Sequence, residues 1–253
     1  MEYKRNPWFV CPQRRPMAEV RLFCFTYAGG GASIFYAWAK GLPPEIETCI
    51  IQLPGRERRL AEQPFTNMQL LIHVLSENFA PYLDMPFTFF GHSMGALVGF
   101  ELACMLRQWY GVQPRHLFSS AHRAPQLPDH RDHIHHLSAS EFVEKLRKFN
   151  GTPEKILQND EFMELILPVL RADFTLCETY SYAPRAPLDC ALTALGGTHD
   201  TMVNSDELSA WQAQTTGTFA FHLLPGDHFY LHGERLALLD IISAGSMRSS
   251  LRS

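Results

Sequence analysis

Gly91-His92-Ser93-Met94-Gly95 constrains this chain more than any other stretch. It follows the apolar run Phe87-Thr88-Phe89-Phe90 and precedes Ala96 to Ala103, whose apolar residues recur at helical spacing. Strand, sharp turn and helix in that order are the context a nucleophile elbow requires. The serine sits on a strained turn, and glycines two before and two after it remove Cβ atoms that would collide. Ser93 Oγ is then expected at the C-terminal end of a strand, over a helix N-terminus. The bare five-residue pattern is common; its flanks make it informative.

The remaining sequence suits a domain built around such a turn. A chain of 253 residues can bury a large core as one α/β domain. With 46% hydrophobic and 19% charged residues it has the composition of an ordinary globular protein. A net charge of −4 gives no global basic field for nucleic acid. No apolar run approaches the ~20 residues needed to span a bilayer. Met1 to Pro16 is polar and contains prolines, with no signal-peptide core. The six cysteines (Cys11, Cys24, Cys49, Cys104, Cys177, Cys190) have no paired spacing and lie mostly in apolar runs. They read as buried free thiols, which places the chain in a reducing cytoplasm. The lack of Cys-x-x-Cys argues against a structural zinc site.

Short apolar runs alternate with helical segments. Strands are expected at Val20 to Phe25, Thr48 to Leu53 (stopped by Pro54-Gly55), Phe87 to Phe90 and His116 to Ala121. Helices are expected around Ile34 to Lys40 and Met68 to Leu83. The pattern predicts a mostly parallel sheet flanked by helices. From 125 to 187 no strand is evident. Ser138-Ala139-Ser140-Glu141 fits a capping box opening a helix that ends near Asn150-Gly151. One or two helices follow over Asp160 to Tyr180, kinked or divided at Pro168. This block reads as a helical lid inserted in a single domain of residues 1–253. Strands resume at Cys190 to Leu195 and Thr218 to Leu224, and a last helix runs from about Glu234 to Ala244.

A serine hydroxyl is a poor nucleophile at neutral pH. It needs a base within hydrogen-bond reach and a third group to orient that base. In folds built on this elbow the chain order is Ser, then Asp or Glu, then His, with both partners on loops after late strands. His228, directly after the last expected strand, suits the base. His222 lies within that strand as a satisfied structural histidine, His232 is near the final helix, and His199 shares the acid's loop. Asp200, after the strand ending at Leu195-Gly196-Gly197, suits the acid. Asp227 adjoins His228 and projects away from it; Asp173 lies in the lid and Asp189 at the far end of a strand. A tetrahedral intermediate also needs two backbone N–H donors. Met94, following the nucleophile, is one. The other comes from the loop Tyr27 to Ser33, at Ala28, with Gly29 also possible.

Five ordered blocks carry a resemblance: Leu22 to Gly30, Gln52 to Arg59, Phe89 to Ala96, Leu167 to Asp173 and Leu224 to Phe229. From Trp8 to about Leu239 the chain resembles the type II thioesterases, free-standing editing enzymes of modular peptide and polyketide synthesis. Related forms release medium-chain acids from fatty acid synthase. The resemblance implies the α/β-hydrolase fold, a triad of Ser93, Asp200 and His228, and oxyanion donors at Ala28 and Met94. It implies a thioester substrate on the phosphopantetheine arm of an acyl or peptidyl carrier domain. It requires no metal and no cofactor, and a monomer is expected. Thr26 departs from the pattern, standing where proline is frequent. Arg56 and Asp173 fall in characteristic segments, and structural ion pairing is the role expected for them.

Other readings follow from the same residues. An esterase or acyltransferase could use this triad, and a non-catalytic carrier-binding protein is a third class. Phe142, Leu146, Phe149, Phe162, Leu165, Leu170 and Phe174 are candidate walls of an acyl pocket, though most are expected simply to pack the lid. Arg56, Arg58 and Arg59, and Arg14 with Arg15, form basic clusters that could meet an acidic carrier, although a charge run is usually a solvated face. His130, His133, His135 and His136 match no metal spacing and read as a solvated loop.

Overall fold

The structure, a computed structural model, describes residues 6–149, 151 and 153–248. Seven strands are β1 (Phe9–Val10), β2 (Val20–Phe25), β3 (Ile46–Ile51), β4 (Phe87–His92), β5 (His116–Ser120), β6 (Ala191–Gly197) and β7 (Phe219–Leu224). They pair in the order β1-β3-β2-β4-β5-β6-β7. Every pairing is parallel except β1 with β3. Strands buried on both faces read as continuous apolar runs, which is why β2 to β5 were visible in the sequence.

Successive side chains along each strand serve opposite faces. Phe23, Phe89 and Leu117 join one core with α2 (Met68–Phe79) and α3 (Met94–Tyr110). Leu22, Phe90 and Phe118 join another with α1 (Trp38–Gly41) and α8 (Arg235–Arg248). Helices therefore cover both faces, as expected of an α/β-hydrolase sheet. Asn67 caps α2 by accepting from the Leu70 N–H, and Gly111 ends α3 in the left-handed region. The helix expected over Ile34 to Lys40 is instead a 3₁₀ turn (Ala32–Phe35) and the single turn α1. Pro43-Pro44 follows at once and cannot continue a helix.

Between β5 and β6 lie α4 (Ala139–Phe149), α5 (Glu154–Leu157) and α6 (Asp160–Glu178). The expected capping box forms at α4: Ser138 N–H donates to Glu141 Oε2 at 3.1 Å and Glu141 N–H to Ser138 Oγ at 3.4 Å. Asn150, where that helix was expected to end, lies outside the described residues. Helix α6 neither breaks nor divides at Pro168. The proline removes one backbone donor, while Met163, Val169 and Leu170 are buried on either side of it and hold the helix in place. The inserted helices have their own cluster of Ile134, Phe142, Leu146, Leu157, Met163 and Leu170. Glu178 fastens the preceding segment by accepting from the N–H groups of Ile134 and His135 at 3.0 Å. After β6 comes α7 (Ser205–Ser209), opened by a reciprocal capping box between Asn204 and Glu207.

The cysteine reading is overturned. Cys11 and Cys49 form a disulfide, so they are not free thiols. The short β1 was not visible in the sequence, yet it pairs Phe9 with Ile51 and Val10 with Ile50. That antiparallel register brings Cys11 opposite Cys49. Cys24, Cys104, Cys177 and Cys190 are free. The inference of a reducing compartment from six free thiols loses its premise. Among the described residues no helix is long and apolar enough to cross a membrane.

Candidate active site

Strand β4 delivers Ser93 at the sheet's C-terminal edge. Ser93 has φ 53° and ψ −119°, a strained conformation held by its N–H donating to Ser120 O at 2.8 Å on β5. A Cβ on Gly91 would lie 2.1 Å from the Gly95 carbonyl oxygen. A Cβ on Gly95 would lie 2.2 Å from the carbonyl oxygen of Phe25 on β2. The second glycine therefore yields to the neighbouring strand, and only the first yields to the elbow itself.

His228 follows β7, with its side chain buried. Its Nε2 is 3.0 Å from Ser93 Oγ and its Nδ1 is 2.8 Å from Asp200 Oδ2. A carboxylate only accepts, so Nδ1 carries the proton and Nε2 turns its lone pair to the serine. Asp200 is fixed in turn: Oδ1 accepts from the N–H of Met202 at 2.8 Å and of Val203 at 3.2 Å. Gly197 lets the acid and base loops meet, because a Cβ there would be 2.3 Å from Asp227 O.

The rival residues are elsewhere. His222 is exposed on β7 and so is not a satisfied core histidine. His232 Nε2 is 3.1 Å from Tyr27 OH, and exposed His199 is 3.1 Å from Thr198 Oγ1. Asp227 accepts from the Phe229 N–H, and Asp189 is exposed. Asp173 is buried against Arg56, with paired contacts of 2.8 Å.

In the loop after β2, Gly30 N–H donates to Tyr27 O at 2.9 Å, and Gly29 N–H donates to Asp173 Oδ2 at 2.7 Å. Gly29 is thus already engaged. Among the described residues nothing accepts from the Ala28 N–H. Ala28, Ser93 and Met94 line one cavity together. Thr26, where proline is frequent in the resembling family, donates its hydroxyl to Gly30 O at 3.0 Å and closes the same loop.

The model of the family described as "Thioesterase domain" matches residues 20–245. The chain is a type II thioesterase. It is 48% identical over 240 residues to the Brevibacillus parabrevis protein named linear gramicidin dehydrogenase LgrE, covering 94% of this chain and 91% of the relative. It is 39% identical over 220 residues to thioesterase PikA5 of Streptomyces venezuelae, covering 87% and 78%. Among solved structures it is similar to the type II thioesterase BorB from the borrelidin biosynthetic cluster. There the TM-score is 0.88 at 34% identity, covering 97% of this chain and 100% of the other. The word dehydrogenase in the first name has no counterpart in this loop. Gly29-Gly30-Gly31 is followed by Ile34 where a dinucleotide fingerprint has its third glycine.

The thioesterase's cavity at Ser93 is small, about 60 Å³. Phe149 and Phe174, stacked 5.8 Å apart, and Cys177 and Met202 give it apolar walls. Asp129, Arg131 and Glu178 give it a charged end. Burial opposes the charge on Asp129, but hydrogen bonds from Arg131 outweigh it and hold the carboxyl below its usual range. A larger cleft of about 490 Å³ lies across the Ala28 loop, under α5 and α6, lined in part by Phe162, Leu165 and Leu170. Phe142 and Leu146 are buried in the inserted cluster, so they pack the helices, as most of these side chains were expected to.

Sequence reasoning gave His92 no role. It is buried, with Nδ1 2.8 Å from Ser120 Oγ, which is 2.6 Å from Tyr230 OH. Burial, and then the nearby charge of His228, push its pKa well down. Nothing in the motif marks this position, because the elbow pattern leaves it open. Of the basic clusters, Arg56 and Arg59 are buried, and Arg58 is the one exposed arginine of that segment. Arg59 is paired with Glu62. Arg15 donates to the carbonyls of Leu42 and Ile46, and Arg14 pairs with Glu47 at 3.7 Å. His130, His133 and His136 are exposed, while His135 binds Glu178 at 2.6 Å. No group of three His, Cys, Asp or Glu among the described residues is placed to hold a metal.

Proposed function

We propose that Ser93, His228 and Asp200 form the catalytic triad of this thioesterase, with the N–H groups of Ala28 and Met94 as oxyanion donors. The observation that carries this reading is the unbroken hydrogen-bond chain from Ser93 Oγ through His228 to Asp200, beside an unengaged Ala28 N–H. The substrate is an acyl thioester on the phosphopantetheine arm of an acyl or peptidyl carrier domain. The reaction removes stalled or aberrant acyl groups during peptide or polyketide assembly. Residues 1–253 act as one catalytic domain and a monomer, and the block 125–187 serves as a lid over the acyl site.

His228 Nε2 takes the proton of Ser93 as the oxygen attacks the thioester carbonyl. Negative charge develops on the carbonyl oxygen, where the two N–H donors stabilise it. His228 then gives the proton to the departing pantetheine sulfur, leaving an acyl-serine. Water, deprotonated by the same imidazole, attacks the acyl-serine. The proton returns to Ser93 Oγ as the free acid leaves. Asp200 stays ionised and keeps the imidazole in the productive tautomer.

The test compares acyl-carrier and acyl-pantetheine thioesters with nitrophenyl esters, alongside fluorophosphonate labelling of Ser93. The expected result is preferred turnover of carrier thioesters and loss of labelling in Ser93→Ala. Markedly faster turnover of the oxygen esters would favour a general esterase, and unlabelled Ser93 in folded protein would end the triad assignment.

A further inference from the structure

We infer that Asp173, itself held by Arg56, is a positioning residue that sets the oxyanion donor at Ala28 by gripping the next peptide unit. The inference rests on the triad reading above and adds a residue that it does not use.

Asp173 lies on α6, in the inserted block, and it is fully buried. A carboxylate there is costly unless it is both paired and hydrogen-bonded. It has both. Arg56 Nη1 reaches Asp173 Oδ2 and Arg56 Nη2 reaches Oδ1, each at 2.8 Å, a two-pronged geometry. The remaining capacity of Oδ2 is spent on the Gly29 N–H at 2.7 Å. Arg56 adds a bond from Nη1 to Gly30 O at 3.2 Å, and Thr26 Oγ1 donates to the same carbonyl. The Ala28–Gly29 and Gly30–Gly31 peptide groups are therefore fastened to a buried ion pair.

The consequence falls on Ala28. Gly29 has φ +76°, a conformation open to few side chains, so the chain turns sharply just past the donor. Leu170, one turn before Asp173 on the same helix, closes over that glycine, where a Cβ would lie 2.6 Å from its Cδ2. With Gly29 N–H committed to Asp173 and Gly30 N–H to Tyr27 O, the Ala28 N–H is left unengaged on the loop that lines the Ser93 cavity. If the Asp173 contact were lost, Gly29 N–H would compete for the oxyanion position and the loop could rotate. Donor alignment matters only when the carbonyl oxygen becomes charged, so the loss falls on the transition state and not on substrate binding. The bond also joins α6 to the site, so the inserted block contributes to the chemistry and not only to the pocket.

The experiment replaces the pair rather than one partner, because a lone buried charge is strongly destabilising. Arg56→Met/Asp173→Leu removes the acceptor while keeping the site apolar and filled. Arg56→Gln/Asp173→Asn is neutral but keeps an oxygen that can accept from Gly29. Turnover of butyryl-pantetheine and of p-nitrophenyl butyrate is measured, with folding checked by thermal unfolding. Binding is measured for propylboronic acid, whose tetrahedral serine adduct occupies the oxyanion site, and for the amide analogue of butyryl-pantetheine. For the apolar pair kcat falls roughly 100-fold with KM within about 3-fold, from the cost of misplacing one donor. Boronate affinity falls with kcat while affinity for the amide holds. The pH at half-maximal kcat/KM is unchanged, and the amide pair recovers kcat to within about 10-fold of the parent. Folded apolar pair with kcat within 3-fold of the parent would overturn the inference. So would equal losses of boronate and amide binding, or an amide pair no better than the apolar one. If the apolar pair does not fold, an amide pair that folds yet shows the full 100-fold loss overturns it as well. Failure of the parent protein to cleave the thioester, with Ser93-dependent cleavage of the oxygen ester retained, would sink the thioesterase reading alone. The clamp would still be decided on the ester.

Discussion

Gly91 has no room for a methyl group. Gly91→Ala would drive a Cβ against the carbonyl at Gly95, and neither β4 nor α3 can move away. The expected outcome is a loss of more than about 4 kcal/mol, read as a collapsed denaturation midpoint in urea. The residues of the proposed triad behave differently, since their loss leaves the packing intact. Ser93→Ala should cut turnover at least ~10³-fold with unchanged circular dichroism. Asp200→Asn keeps acceptors for Met202 and Val203 but presents an amide to His228, so the imidazole loses its tautomer and turnover drops by a similar factor. Full activity in Asp200→Asn would reassign the acid. That these three side chains would meet was readable in the sequence, because the elbow has a steric signature and its expected partners follow a fixed chain order. Arg56 and Asp173 were not readable as a unit. They are 117 residues apart, and no local pattern encodes a contact between them.

Helix α6 differs from its neighbours in serving two structures at once. Its N-terminal half belongs to the inserted cluster, while Asp173 and Leu170 reach the loop after β2. Phe142, on α4, is central to the inserted cluster and fully buried. Phe142→Ala should cost about 3–5 kcal/mol. Hydrogen exchange should show that loss in α4 to α6 while β4 keeps its protection. Equal loss of protection in β4 would mean that the insertion and sheet unfold as one unit. Among the elements, the central strands were legible because both of their faces are apolar. The single turns α5 and α7 and the two-residue β1 are too short to show periodicity. β1 exists through its pairing with β3, and the Cys11–Cys49 bond was hidden for the same reason.

Across the whole molecule, buried histidines set how the fold meets acid. Burial pushes the pKa of His116 down to about 4 and that of His122 down to about 3. The unfolded chain accepts those protons near 6.5. Below that value the unfolded state binds protons the folded state refuses, so stability is complete above pH 6.5 and is lost as pH falls toward 4 and then 3. Each group is worth on the order of 3 kcal/mol over that range. Calorimetry should record a falling Tm between pH 7 and pH 5, and a shallower fall in His116→Gln, which can still bond Thr193. A flat Tm over that interval would contradict the burial argument. Spread over the same molecule, the three residues of the proposed triad have a further consequence. Ser93 and His228 are 135 residues apart, with the whole inserted block between them. If the proposed triad is right, Ser93 lacks its base until the growing chain has been extended by another 135 residues.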